Sequence, residues 1–585
     1  MKKLISIMIV LACVFTFSRC SEDAYSDKYV DPNKVTSLLM DKLMVGVFDK
    51  CNDWAIMGYG RYYSFDNLYL ANFTQSFGRP YSPTMYHNGW SDDGSGKYGS
   101  LFSATGILRK MEMMYDEMAE AEKPSYEAYL LAARVHVYAF LLSMLDTYGD
   151  LPFREGGIVA ATGILDNSNA HFDKAEDLYL MILDELKTIG QRFATVSKPK
   201  DFTATQDFVN EADFGKWQKY ANSTRLRAAM RVASQGVLAD AGRAAVREIL
   251  ENPTLYPIVE NFDDNIVLFS RVGGKNEENG GRGLDDGDGS SNRASDDLLS
   301  RMLSDYDRAT WSGSYQDGID DPRVPILYDL AVKEPNKQTG YPSYVDEEGR
   351  TVTQSGRAVP TVFRGATYEM PEAVMESYTT NAKGISLLRY NGLFYRNVNF
   401  DHQIYTSPET WFIKAEAYLN GWAAGDAKAA FKEGVIQSIR FYVHYHATKA
   451  NADEKPGIDG NTRRGWVINP NLEAIDDAWL DAFAEARWEA PINGQHPYEN
   501  KLDAIITQKY INFSIFYVRE AWNDLRRTGY PSGIYFPRVS DATVPELPVR
   551  LRYPTGERDF NKNFSEVNRP GFNADDYYTK LFWAK

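Results

Sequence analysis

The chain has 585 residues with 64 basic and 80 acidic side chains, a net charge of −16, and 14% aromatic residues that include 38 Tyr and 11 Trp. A surface this acidic repels phosphate backbones, which excludes nucleic acid as a partner. The 3 cysteines are too few for a disulfide framework, and the length is ample for an apolar core that holds the fold without one.

The N-terminus reads as a targeting segment over residues 1–19. Lys2 and Lys3 precede an uncharged apolar run from Leu4 to Phe17, too short for a membrane span of roughly 20 residues. Cys20 follows Ser18-Arg19 and precedes the acidic stretch Ser21-Glu22-Asp23. This pattern looks like a lipoprotein signal in which the cysteine after the cleavage site carries lipid. Cys20 is the preferred lipidation site, although Val10-Leu11-Ala12-Cys13 fits the local pattern better than Arg19 does. Lipidation at Cys13 would leave Val14–Phe17 exposed in the product. Removing residues 1–19 takes away Lys2, Lys3 and Arg19 and makes the chain three charges more negative. Residues 20–34 form a tether and 35–585 a single domain, held to the membrane through lipid alone.

Within that domain the periodicity is helical. Tyr126, Tyr129, Leu130, Ala133, Val137, Phe140, Leu141 and Met144 recur at helical spacing after a cap at Ser125, and Gly149 and Pro152 end the run. Ala175, Leu178, Tyr179, Ile182, Leu186, Ile189 and Phe193 form one face of the next helix, expected to pair antiparallel with the first. Ser407-Pro408 opens a helix through Leu419, and Asp426 caps its partner, which buries Phe431, Val435, Ile439 and Tyr442. Further helices are expected at about 99–120, 216–235, 240–252, 471–488 and 499–527. Ala133, Ala139, Ala415 and Ala417 permit close approach, so the fold class is all-α, built of tetratricopeptide-like helix hairpins. A loop-rich insertion over about 253–400 interrupts them with Gly-, Asp- and Pro-rich text, and residues 60–98 form a smaller irregular region.

Five stretches carry a resemblance: Asp31-Pro32-Asn33; Tyr148-Gly149-Asp150-Leu151-Pro152; Asn222 to Arg231; Trp411 to Trp422; and Arg519 to Pro531. Their order and spacing, together with the lipoprotein signal, resemble the SusD/RagB family of outer-membrane nutrient-binding lipoproteins. The resemblance implies a surface-exposed protein without catalytic activity. It would bind an oligosaccharide, or a peptide as in RagB-like members, and deliver it to a SusC-like TonB-dependent transporter.

The ligand face is expected on the loops. Tyr81, Tyr86, Trp90 and Asp92 form one aromatic and polar group; Trp311, Tyr315 and Tyr341 with Asp317, Asp320 and Arg323 form another. Flat rings cover the C–H face of a pyranose and planar polar groups pair with its hydroxyls. Trp90 has an inward-packing alternative, which makes Trp311 the better choice. Asp285, Asp286 and Asp288 are weak calcium candidates in a Gly-rich loop, without EF-hand order, and no other cofactor is expected.

Catalytic signatures are missing: no Gly-x-Ser-x-Gly, His-Glu-x-x-His or phosphate-binding Gly-x-x-x-x-Gly-Lys occurs. Asp320-Asp321 and similar acid pairs leave a glycoside hydrolase as the less favoured alternative. Cys51, near Phe48 and Trp54, reads as a core thiol rather than a nucleophile. The charges from Arg519 to Arg527, like Arg225, Arg227 and Arg231, read as structural ion pairs.

Overall fold

The structure is a computed structural model that describes residues 39–56, 66, 70–78, 94–165, 168–269, 293–328, 330–331, 343–345, 351–353, 362–367, 374, 401–449, 475–534 and 547–585. Its longer helices are α1 (Met40–Ala55), α2 (Ser95–Glu117), α3 (Glu127–Tyr148), α4 (Ala175–Phe193), α5 (Phe214–Ala233), α6 (Ala239–Glu251), α7 (Ser407–Leu419), α8 (Ala427–Lys449), α9 (Asp477–Glu489), α10 (Lys501–Phe513) and α11 (Val518–Thr528). The described strands form three two-stranded antiparallel sheets: β1 (Ile266–Phe269) with β6 (Asp401–Tyr405), β2 (Ser312–Gly313) with β5 (Phe363–Arg364), and β3 (Ser343–Val345) with β4 (Thr351–Thr353). The all-α, tetratricopeptide-like expectation holds, with the described strands confined to short two-stranded pairings, of which only β3 with β4 is a local hairpin.

Local chemistry sets the helix starts. Asp213, Asp476 and Asn500 each accept a hydrogen bond from a first-turn amide of α5, α9 and α10, which satisfies donors that have no partner within the helix. Asp426 accepts from Lys428 N and Ala429 N at the start of α8, as expected. Ser125 does not cap α3: residues Lys123–Ser125 form a 3-10 turn and Tyr126 stands at the cap without a side-chain bond.

Pairing departs from expectation at one place. Helix α4 touches α3, but its closest partner is α5, and α5 in turn packs on α6. Gly190 of α4 explains the closeness, because a Cβ there would lie 2.4 Å from Asn222 Oδ1 on α5. α7 and α8 form the expected hairpin, and α1, absent from the sequence reading, lies along α2 and α3. α3 is long and apolar enough to cross a membrane, yet almost all of its residues are buried by neighbouring helices. It is a core helix.

Much of the aromatic content is core. Trp217 stacks on Phe48, Phe193 and Tyr220 and donates from its indole to Asp207 at 2.6 Å. Cys51 is fully buried between α1 and its neighbours, and burial, then Asp53 and Asp49, push its thiol well above the ordinary range. A thiol held protonated is a poor nucleophile, which agrees with a core role.

The motif residues meet in a buried charged layer. Arg231 bonds Asp146 at 3.2 Å and also pairs with Glu520; Arg227 holds Glu409 through two bonds of 2.6 and 2.7 Å. Arg527 bridges Glu416 and Asp524, and Lys509 reaches Asp524 at 2.8 Å. Burial raises the Asp146 carboxyl above its ordinary value despite Arg231. Burial acts in the same sense on Glu520, but Arg231 and Arg227 outweigh it and hold that carboxyl low. The guanidinium of Arg526 lies 3.5 Å from the Trp522 ring centroid, and burial lowers it to about 9. Removing one member of such a layer leaves an uncompensated charge in a medium that solvates it poorly.

Candidate functional site

The loop after the short helix Asp296–Met302 carries Trp311, Tyr315 and Asp317. Its base is clamped from below. Tyr306 donates to Asp296 at 2.8 Å and Arg308 reaches the same carboxylate at 2.7 Å, while Asn493 donates to the carbonyls of Leu303 and Tyr306. Asp307 and Ser312 exchange backbone bonds of 3.0 and 3.3 Å, which closes a tight turn over residues 308–311.

Trp311 ends that turn at φ +50, in the left-handed region. A bulky residue there costs roughly 1–2 kcal/mol relative to the right-handed conformation, so the surroundings must hold it. They do so through backbone and one guanidinium: Gly365 N donates to Trp311 O at 3.1 Å, Ser312 pairs with Arg364, and Arg364 Nη1 donates to Thr310 O at 2.8 Å. Gly313 leaves no room for a side chain, since a Cβ would lie 2.8 Å from Asp305 Oδ1. Trp311 is half-buried. Strained, non-glycine positions of this kind cluster at binding sites.

Tyr315 is half-buried against the core, and burial, then Asp317, raises its phenol well above the ordinary value. Asp317 is exposed and Ile319 beside it is 56% exposed. Sequence reasoning passed over Ile319 because a lone exposed apolar residue carries no signal.

Arg323 requires correction. It lies at 0% exposure, bonds Asp321 through Nε at 2.8 Å and Nη2 at 2.6 Å, and spends further donors on Ser438 and Gln508. It ties the loop to α8 and α10 instead of facing a ligand. Its neighbour Asp320 is also internal and accepts from the amides of Ser304 at 2.6 Å and Gln316 at 2.7 Å. Both carboxylates of the Asp320-Asp321 pair are therefore consumed in holding the loop, which removes the pair as a hydrolytic acid and base. Tyr81, Tyr86, Trp90, Asp92 and Tyr341 lie outside the described residues, as do Cys20 and the calcium candidates Asp285, Asp286 and Asp288. No cluster of three or more metal-ligating side chains occurs among the described residues.

The arrangement is suited to binding. A clamped hairpin carries one half-buried aromatic residue, and the same loop carries a second, Tyr315, with the exposed carboxylate of Asp317 near it.

A family model described as starch-binding and associating with the outer membrane matches residues 69–554. No curated protein matches the chain. Among solved structures, a chitin-binding protein is similar with a TM-score of 0.65 at 21% identity, covering 93% of this chain and 99% of its own. A SusD homolog from Parabacteroides distasonis has a TM-score of 0.62 at 20% identity, covering 94% of this chain and 98% of its own. A SusD homolog from Bacteroides fragilis has a TM-score of 0.61 at 18% identity, covering 93% and 99%. At these identities the likeness to solved structures is one of fold. The match over most of its length shows that the chain belongs to the SusD-like family, whose members are binding proteins of the outer membrane and not enzymes.

Proposed function

We propose that the protein binds a neutral oligosaccharide at the Trp311 loop and delivers it to a SusC-like TonB-dependent transporter. In this reading it is anchored by lipid on Cys20 and faces the cell surface. The tether is residues 20–34, and 35–585 form one domain.

One observation carries the ligand assignment: Trp311, half-buried in the left-handed region, is fixed by a hairpin whose every clamp is backbone or buried charge. A backbone fixed in this way leaves less ordering entropy to lose when the ring stacks on a sugar. With Arg323 withdrawn into the core, no cation among residues 311–323 is left to favour an acidic sugar or a peptide carboxylate. Asp317, exposed on the same loop, is an acceptor for hydrogen bonds from sugar hydroxyls. The name of the chitin-binding relative supports glycan over peptide.

Isothermal titration of the mature protein with a panel of neutral oligosaccharides and a panel of peptides tests the assignment. Heat from an oligosaccharide and none from peptides is expected; the reverse rejects the glycan reading.

A further inference from the structure

A concave site lies elsewhere in the molecule and shares no residue with the Trp311 loop. It is a cleft of about 510 Å³ between the first turns of α2, residues 152–160 and 168–170, and the short helix Thr555–Phe560.

Its floor depends on glycine. Gly157, at φ +79, lies so close to α2 that a Cβ would sit 2.5 Å from Gly106 N, and a Cβ on Gly156 would meet Phe102 at 2.6 Å. This close approach lets residues Ile158–Thr162 run against α2 and opens the space above them. The far wall is tied down by Asn561, whose amide donates to Ala170 O at 3.0 Å and to Glu557 at 2.7 Å. Asn563 and Lys562 add two more bonds to Asn169.

Apolar and polar groups are arranged unevenly over that frame. Phe102 and Ile158 line the interior, and Phe560 stands at the rim with 81% of its surface exposed. Glu155, Glu557 and Asn561 supply the polar edge, and the described lining contains no Lys or Arg. The volume is in the range of roughly 300–1,000 Å³ typical of small-ligand sites.

Two exclusions follow from chemistry. Two carboxylates without a cation reject phosphate, sulfate and acidic sugars. An extended peptide takes its affinity from pairing with a strand edge, and the described lining consists of helix, turn and irregular segments with no strand. The remaining recognition is side-chain: an aromatic face for a C–H surface, and carboxylate and amide groups for hydroxyls.

We infer that this cleft is a second binding site for a neutral oligosaccharide, with Phe560 as its stacking platform and Glu557 and Asn561 as its hydroxyl acceptors. Two sites on one body raise the effective concentration of a long glycan at the protein without tighter contacts at either.

The test uses the mature protein and chitohexaose, maltohexaose and cellohexaose in isothermal titration, with Trp311→Ala, Phe560→Ala and the double variant beside the wild type. Phe560 is largely exposed, so its truncation leaves the fold intact, which melting temperature verifies. In the Trp311→Ala protein at least one of the three sugars is expected to bind with one equivalent, and adding Phe560→Ala is expected to weaken that binding at least tenfold. Absence of residual binding in Trp311→Ala, or residual binding indifferent to Phe560→Ala, overturns the second site. Binding that survives Trp311→Ala undiminished in stoichiometry but collapses with Phe560→Ala alone overturns the Trp311 assignment and leaves the cleft standing.

Discussion

Arg527 and Glu416, 111 residues apart in sequence, form a two-bond ion pair with both side chains 1% exposed. The pair locks α11 to α7, and Asp524 one turn earlier on α11 shares the same guanidinium at 2.9 Å. Glu416→Gln keeps the shape and removes the charge, leaving Arg527 with Asp524 alone. The variant is expected to lose about 3–5 kcal/mol of stability by urea unfolding while binding ligand with unchanged affinity under folding conditions. A drop in affinity at unchanged stability would move these residues from scaffold to ligand face.

His136 gives the fold a specific acid sensitivity. It is buried among Phe48, Trp54 and Tyr220, with Nδ1 3.1 Å from the Tyr220 hydroxyl, and burial lowers it to about 3. The unfolded chain takes up this proton near pH 6.5 whereas the folded chain resists it until about 3. The contribution is therefore complete above about pH 6.5 and is lost as the pH falls from there towards 3. Between pH 7.5 and 4.5 this group accounts for a loss on the order of 3 kcal/mol. His136→Phe removes the titration, so its stability is expected to fall less over that interval than the wild type's. Parallel curves would show that His136 does not titrate as its burial demands.

The anchor is checked at the cysteine itself. Cys20→Ser is expected to abolish incorporation of labelled palmitate and release the protein from the outer-membrane fraction, with Cys13→Ser behaving as wild type. Retention of label in Cys20→Ser and its loss in Cys13→Ser would transfer the anchor to Cys13.

The sequence made the helices legible where apolar residues recur at helical spacing, whether or not a side chain caps the start. Asp213 opens α5 at Phe214, close to the expected 216, whereas Asp476 opens α9 at Asp477, six residues after the expected 471. α1 was not read from the sequence, although Met44, Val47, Phe48 and Cys51 form a buried face. The single helix expected over 499–527 breaks at Ser514, whose φ of +43 has no local cause such as glycine or proline. Burial of Ile515 and Phe516 in the core imposes the break from outside the segment. The charges of Arg519–Arg527 were readable as ion pairs, but their partners Glu416, Lys509 and Arg231 are distant in sequence and no spacing rule reaches them. For the same reason Arg323 read as a surface residue, since a Gly- and Asp-rich context gives no sign of Ser438 and Gln508 waiting beneath it. The cleft joining Phe102 to Phe560 has no sequence signature at all.

The left-handed backbone at Trp311 separates stability from binding. Trp311→Gly removes the Cβ that this conformation disfavours and is expected to be about 1 kcal/mol more stable than Trp311→Ala. The most direct measurement is titration of Trp311→Ala and Trp311→Gly with the oligosaccharide that binds the wild type, alongside their melting temperatures. Both variants should weaken the binding contributed by this loop at least tenfold, with melting temperatures close to wild type and glycine above alanine. Unchanged affinity at this loop, or a large fall in melting temperature in both variants, would contradict Trp311 as the ligand platform.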